Sequence, residues 1–286
     1  MAKAVEPVGQ PSIGLALGGG GARGLAHIVL LEALDEMGLK PARIVGTSIG
    51  AVVGAAYASG ISGRDLRAHV LGLVRDKPAA MARVLKARVG RLVDLFNGVG
   101  HPIMLDGELL LDMFWPDKVP DRFEQLLIPF EAVATDYVGR RAAIFDTGPL
   151  APAVAASMAI PGLIKPVEMD GLVLVDGGVV DPLPFRHLVG RTEMIVACDV
   201  TGGPVADRKA APKPFEAMFG AAQIMMASIT REMLSVSQPD VLLKPDVDAF
   251  RVHDFFKAMQ IFAACEPVRE QTKQQLKRAI DRSLTS

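Results

Sequence analysis

Two glycine-rich turns, each directly after a short apolar run, constrain this chain more than any other feature of its sequence. The first is residues 18–24 (Gly-Gly-Gly-Gly-Ala-Arg-Gly), which follows Ile13–Leu17, and the second is residues 46–50 (Gly-Thr-Ser-Ile-Gly), which follows residues 43–45. Glycine lets a chain leave a strand sharply and lets other groups approach the backbone closely. Both turns therefore predict junctions between a strand and a helix.

Apolar residues at helical spacing follow each turn, over 25–37 and over 49–58, so the predicted order is strand, helix, strand, helix. Such an order predicts parallel neighbouring strands joined by a right-handed crossover, with both turns at the same sheet edge. Further apolar runs predict strands at 130–135, 142–145, 172–175, 194–198 and 241–243. The predicted fold class is α/β: a three-layer sandwich with a mostly parallel central sheet and a helical C-terminal extension.

The chain has 286 residues, a length that suits one large domain. Residues 1–12 lack the apolar stretch of a secretory signal, and we expect a flexible tail at the start of the mature chain. Residues 13–201 are predicted to form the core, and 202–286 a mostly helical extension packed on it. In that extension, an apolar, methionine-rich face over 215–236 favours core packing, with an acyl-chain groove as the alternative. A polar, exposed helix is expected over 266–284.

Residues 63–97 form a basic segment at helical spacing, with eight Lys and Arg against three Asp. One interpretation is a solvated helical cap over the core. The other is a cap that contacts an anionic membrane surface, where each cation contributes about 1 kcal/mol. The formal net charge of −1 and the absence of interleaved aromatic and basic residues do not indicate a nucleic-acid partner.

Two cysteines, Cys198 and Cys265, are too few for a disulfide framework and lack the spacing of metal ligands. We therefore expect the protein in a reducing compartment, the cytoplasm. The basic segment suggests an alternative, in which the cytoplasmic protein contacts the inner membrane surface peripherally. No metal site and no cofactor are predicted. The oligomeric state stays open.

Ser48, between Gly46 and Gly50, has the setting of a nucleophilic serine on a tight strand-to-helix turn. The backbone N–H groups of the earlier glycine run are suited to hold a developing oxyanion. Together, the two turns point to acyl-transfer chemistry.

A base for that serine is suggested by the apolar strand 172–175, which runs directly into Asp176 and two glycines. This order places the Asp176 carboxylate at the end of the strand, and the two glycines after it allow the backbone to turn sharply. Only two histidines follow it, His187 and His253, and neither lies in a turn that marks a catalytic loop. Structural histidines are the favoured interpretation of both.

The same residues are also compatible with other functions. The pattern Gly19-x-Gly21-x-x-Gly24 also fits a dinucleotide fingerprint, but that site needs an acid at the end of the second strand, where this chain has Thr47 and Ser48. An acyltransferase that uses Ser48 with a thioester or lipid donor is a closer alternative. A non-catalytic lipid- or nucleotide-binding module is the remote one.

Four segments in order resemble the patatin-like phospholipases, which hydrolyse acyl esters with a Ser-Asp dyad and no histidine. They are the glycine loop 19–24, the serine turn 46–50, the small-residue stretch 155–161 and the acid motif 176–178. Together they cover about 13–188. The acid motif continues into Asp181, where that family often has asparagine, so a second carboxylate is expected near the site.

The resemblance implies a serine hydrolase of lipid esters, with Ser48 as the nucleophile and Asp176 as the proton acceptor. It implies an oxyanion site formed by the N–H groups of Gly19, Gly20 and Gly21. For Arg23 it leaves two roles, binding of a substrate phosphate or stabilisation of the loop. The remaining motif positions are Gly24, Gly46, Gly50, Gly177 and Gly178.

Overall fold

Eight of ten strands join into one mixed sheet in this computed structural model, which describes residues 11–89, 104–203 and 211–284. In chain order the strands are β1 (Ile13–Leu17), β2 (Arg43–Thr47), β3 (Arg88–Val89), β4 (Met104–Leu105), β5 (Phe130–Asp136), β6 (Arg141–Phe145), β7 (Val167–Met169), β8 (Leu172–Asp176), β9 (Met194–Cys198) and β10 (Val241–Leu243). Strands β3 and β4 form a separate antiparallel pair. Every strand expected from an apolar run is present.

The α-helices are α1 (Ala26–Glu36), α2 (Ile49–Ala58), α3 (Gly63–Arg75), α4 (Lys77–Lys86), α5 (Gly107–Phe114), α6 (Leu150–Ser157), α7 (Pro214–Val236) and α8 (Ala258–Ser283). Helix α1 ends where the sequence predicts, just before Gly38. That glycine has a φ of +66°, which an L side chain rarely adopts, and its N–H donates to the Asp35 carbonyl at 3.0 Å.

The strand order is β10, β9, β1, β2, β5, β8, β7, and β6 also pairs with β5. The five strands from β10 to β5 are parallel, whereas β6, β7 and β8 are antiparallel to their neighbours. The predicted α/β fold with parallel β1 and β2 is confirmed. The antiparallel strands lie between β5 and β9 in the chain, and one of them carries Asp176.

Strands β2 and β8 lie end to end along one edge of β5. Thr47, the last residue of β2, pairs with Val133, and Asp176, the last residue of β8, pairs with the next residue, Ala134. Strand β6 occupies the other edge of β5 across both of these positions. The carboxyl ends of β2 and β8 therefore meet, although the two strands run in opposite directions.

Helices cover both faces of the sheet, which gives the predicted three layers. Leu15 and Leu17 belong to a core cluster that includes residues of α1, α2, α6 and α8. Ala16 and Val45 point to the opposite face, where they pack in a second cluster that contains Met233 of α7. Alternate strand residues point to opposite faces, so each strand contributes to both layers.

The C-terminal segment contributes to the sheet as well as covering it. Strand β10 extends the parallel region beside β9. Helix α8 begins eight residues before the expected 266 and is not simply polar and exposed, because it buries a stripe that includes Ile261, Phe262 and Leu276. Its Arg269 also donates to Glu32 of α1 at 2.6 Å.

Only part of the predicted basic cap, 63–97, lies within the described residues. Helix α3 packs on the core through Leu66, and its Arg67 donates to both Glu32 oxygens. Met81 and Leu85 of α4 are about half exposed. Residues 90–97, and with them Arg91, are outside the described part. Within the described ranges, no helix is both long enough and apolar enough to cross a bilayer.

Candidate active site

The turn after β2 holds Ser48 in a strained backbone conformation, with φ 55° and ψ −123°. Such a conformation is costly for a residue with a side chain and persists only where the surroundings enforce it. The flanking glycines enforce it by close packing: a Cβ at Gly50 would lie 2.1 Å from the Leu17 carbonyl oxygen, and one at Gly46 would lie 2.5 Å from that of Gly50. The expected serine elbow is therefore present.

The side chain of Ser48 points at the end of β8. Its hydroxyl donates to Asp176 Oδ2 at 2.6 Å, and the other carboxylate oxygen, Oδ1, accepts from the Gly178 N–H at 2.7 Å. Asp176 begins a short 3₁₀ turn, Gly177–Val179, and Gly177 has no room for a side chain because a Cβ there would lie 2.0 Å from the Val133 carbonyl oxygen. Both carboxylate oxygens are thus oriented before any substrate binds.

Burial raises the pKa of Asp176 to about 6, although the hydrogen bonds from Ser48 and Gly178 act to lower it. Desolvation disfavours the charged form, and neutral donors compensate for it only in part. A carboxylate with a pKa near 6 is ionised at neutral pH and accepts a proton more readily than an exposed one. The buried site therefore makes Asp176 a better base.

The second carboxylate, Asp181, is bound by a histidine and not by the serine. Its Oδ2 accepts from His187 Nε2 at 2.8 Å, and its backbone carbonyl accepts from the Thr47 hydroxyl. His187 is therefore bound to Asp181, and His253 is exposed on a surface turn. Of the two carboxylates considered from sequence, the structure brings only Asp176 to Ser48.

The glycine loop lies beside Ser48, but one predicted oxyanion donor needs correction. The N–H of Gly19 donates to the Pro182 carbonyl at 2.9 Å and is therefore already paired. No acceptor is seen among the described residues for the N–H of Gly20 or Gly21. Both are held tightly, since a Cβ at Gly20 would lie 2.3 Å from the Val200 carbonyl oxygen. These two amides stay as candidate donors.

Arg23 was expected to bind a substrate phosphate or to steady the loop, and its contacts support the second role. Its side chain is fully buried. The guanidinium donates to the backbone carbonyls of Phe250 at 2.8 Å, Thr201 at 2.5 Å and Gly203 at 2.6 Å, and to Gln223 Oε1 at 3.0 Å. A guanidinium with its N–H groups engaged in this way is not available to a substrate, so substrate binding by Arg23 is corrected to loop anchoring.

The opposite end of the loop is anchored by His27, which no sequence motif indicated. Its Nε2 donates to the Gly18 carbonyl at 2.8 Å, and its ring is fully buried. Burial lowers the pKa of His27 to about 4, so the ring is neutral at physiological pH. The neutral His27 ring therefore has a structural role, because it donates a hydrogen bond to the backbone at the start of the glycine run.

Ser157 is a second residue whose role sequence reasoning missed. Its hydroxyl accepts the backbone N–H of Ser48 at 2.9 Å and donates to the Val133 carbonyl at 2.6 Å. It thereby ties the serine turn to α6 and β5. The small-residue stretch 155–161 was the available signal, because a lone serine among alanines at a buried helix end needs a polar partner.

Comparison with known proteins agrees with the geometry. The family model for patatin-like phospholipases matches residues 15–189, more than half of the chain and all of the motif residues. The chain belongs to the patatin-like phospholipase family. The match does not include the segment after residue 189.

Among curated proteins, an uncharacterized NTE family protein of Mycobacterium tuberculosis is 39% identical over 203 residues, which is 69% of this chain and 52% of that protein. A lysophospholipase NTE1 of Kluyveromyces lactis is 33% identical over 202 residues, 69% of this chain and 13% of that protein. The chain thus spans about half the length of the first of these relatives. A solved structure, VipD from Legionella pneumophila, matches with a TM-score of 0.49 and 14% identity, covering 94% of this chain and 67% of that one.

Proposed function

We propose that this protein is a serine hydrolase of lipid acyl esters that works through a Ser48–Asp176 dyad and an acyl-enzyme. The observation that carries the proposal is the 2.6 Å hydrogen bond from the Ser48 hydroxyl to a buried carboxylate. Family membership supports a lipid hydrolase in general terms. The relatives named as lysophospholipases support an ester of a lipid as the substrate class.

In the first half-reaction, the Ser48 hydroxyl attacks the ester carbonyl carbon while its proton passes to Asp176. The carbonyl oxygen becomes an oxyanion, for which Gly20 and Gly21 supply backbone N–H donors, each worth about 3 kcal/mol in comparable sites. The ester C–O bond then breaks. The leaving alcohol takes the proton from Asp176, and the acyl group stays on Ser48.

In the second half-reaction, a water molecule gives a proton to Asp176 and attacks the acyl-enzyme carbonyl. A second oxyanion forms at the same amides and collapses to release the carboxylic acid. Ser48 recovers its proton from Asp176. An acyltransferase would differ only in the acceptor, which would replace this water.

The test is labelling of the intact protein with a fluorophosphonate probe, with the labelled site located by mass spectrometry. Ser48 should carry the label, and Ser48→Ala should abolish both labelling and hydrolysis of p-nitrophenyl acetate. Asp176→Asn should lower hydrolysis by orders of magnitude, while the matched variants His187→Ala and His253→Ala should retain it. Equal damage from either histidine variant would replace the dyad with a triad.

The substrate class is tested by a lipid analysis of phospholipid vesicles incubated with the wild type and with Ser48→Ala. Free fatty acid that accumulates only with the wild type supports hydrolysis. Transfer of acyl groups to an added alcohol or thiol, with little free acid, would support the acyltransferase alternative.

A further inference from the structure

Access to the dyad is restricted in this conformation. Ser48 is 5% exposed and Asp176 is 6% exposed. An ester carbonyl must nevertheless reach the Ser48 hydroxyl, and its acyl chain must lie beside it. A side chain that occupies this space therefore competes with part of the substrate.

Met226 of α7 is such a side chain. A Cβ at Gly178 would lie 2.6 Å from Met226 Cε and 3.3 Å from its sulfur, and a Cβ at Gly19 would lie 3.5 Å from the same Cε. Gly178 donates to Asp176, and Gly19 is adjacent to Ser48, because its Cβ would be 3.4 Å from that of the serine. The thioether methyl thus lies over the two glycines on either side of the dyad.

The inward face of α7 is held in place on both sides of Met226. One turn earlier, Gln223 accepts a hydrogen bond from the buried guanidinium of Arg23, which ties α7 to the glycine loop. One and two turns later, Thr230 and Met233 are buried against the core. These positions follow helical spacing, so Met226 faces the site as a consequence of the register of the helix. Met225, next to it, points outward and is 60% exposed.

We propose that Met226 is a specificity-determining residue whose side chain occupies the space that the substrate's acyl chain takes beside Ser48. Methionine suits this position because it is unbranched, has three rotatable bonds and tolerates apolar neighbours of varied shape. A substrate chain displaces the thioether by rotation, and the volume left sets the acyl size that is accepted. The inference rests on the proposed ester hydrolysis at Ser48. It places a substrate-contacting residue in α7, outside the region 15–189 that the family model matches.

The experiment compares kcat/KM for p-nitrophenyl acetate and p-nitrophenyl octanoate, both kept below the concentrations at which they aggregate. In Met226→Ala, the ratio of octanoate to acetate should rise about tenfold over the wild type, because one or two methylenes of pocket space commonly change selectivity by that order. Met226→Leu, which restores the volume, should return the ratio close to that of the wild type. Met225→Ala on the exposed side of the same helix is the matched control and should leave it unchanged.

A ratio in Met226→Ala that stays within twofold of the wild type, or falls, would overturn the inference, as would an equal rise in Met225→Ala. Circular dichroism and thermal unfolding of each variant check that the fold is retained. If the alanine variant unfolds, the smaller truncation Met226→Val replaces it and should also raise the ratio above that of the wild type, and a ratio equal to the wild type would overturn the inference. Failure of the proposed function has a different signature: acetate turnover would persist in Ser48→Ala or be absent from the wild type. If the ratio is unchanged in Met226→Ala while turnover still depends on Ser48, only the role of Met226 is rejected.

Discussion

Replacement of the Asp176 carboxylate by an amide should inactivate the protein and, above pH 6, make it more stable. Asparagine has nearly the same shape, and its carbonyl oxygen can still accept the Gly178 N–H that now lies at 2.7 Å. It carries no charge and cannot take a proton from Ser48. The substitution therefore separates the catalytic value of the carboxylate from its cost to the fold.

The size of that cost follows from the pKa of Asp176, which burial raises from 3.8 to about 6. Between these values the native state keeps a proton that the unfolded state has lost, so the free energy of unfolding falls as the pH rises through this window. Above about pH 6 the full penalty applies. At about 1.4 kcal/mol per pH unit, it amounts to about 3 kcal/mol. Asp176→Asn should thus be about 3 kcal/mol more stable at pH 8 and nearly equal to the wild type near pH 4.

The assay is urea unfolding followed by circular dichroism, for wild type and Asp176→Asn at pH 4 and pH 8. His27 also changes stability with pH, in the opposite sense, because burial lowers its pKa to about 4. Its contribution is the same in both proteins and cancels in the difference. Thus the comparison isolates Asp176.

Asp181→Asn is the matched control. That carboxylate is also buried, but it accepts from His187, so removal of its charge should not stabilise the protein above pH 6. An Asp176→Asn variant that is no more stable than the wild type at pH 8 would refute the argument that burial of this carboxylate is costly. An equal gain from Asp181→Asn would show that the effect is not specific to the dyad.

Three further outcomes are expected from the same contacts. The value of kcat/KM for p-nitrophenyl acetate should fall about tenfold per pH unit below about pH 6, as Asp176 becomes protonated and cannot accept the serine proton; a profile that is flat from pH 4.5 to 8 would contradict this role. Arg23→Lys should lower kcat on this phosphate-free ester, because one ammonium cannot reach the three carbonyls that the guanidinium binds; a defect seen only as a higher KM for phospholipids would instead favour phosphate binding. Ser157→Ala should lower the free energy of unfolding by about 1–3 kcal/mol, because the Ser48 N–H and the Val133 carbonyl lose their shared partner; urea unfolding measures this, and a neutral substitution would argue against that anchor.

The sequence predicted the elements around the serine well, because the signals there are local. Gly50 packs against the Leu17 carbonyl of β1, but Gly46 is required by contacts within its own strand-to-helix turn, and such local steric demands leave a readable pattern. Helix α1 and its stop at Gly38 follow for the same reason. By contrast, the start of α8 was misjudged, since its first two turns are held by burial against α1 and the sheet rather than by a local start signal.

The partners of the polar side chains could not be read from the sequence. Gly19 was expected to hold an oxyanion, but its N–H is taken by Pro182, far away in the chain. For Arg23 the sequence leaves two roles open, binding a substrate phosphate or stabilising the loop, and only the backbone carbonyls of Thr201 and Gly203 at its guanidinium favour the second. A hydrogen bond depends on which distant groups folding brings within about 3 Å, and no local pattern encodes that.

By itself, the sequence indicated a glycine loop, a serine on a tight strand-to-helix turn and an acid at the end of a strand, because each shows as a pattern of glycines and apolar residues within a few adjacent positions. Only the tertiary structure decided that the acid at Asp176 reaches Ser48 while Asp181 does not. Strand β8 runs antiparallel to β5 and meets β2 end to end, so two carboxyl ends from strands of opposite direction come together. That arrangement depends on the pairing of β5 with β2, 86 residues earlier at Thr47–Val133, and with β8, 42 residues later at Ala134–Asp176. At such separations register and burial decide the outcome rather than local conformational preference.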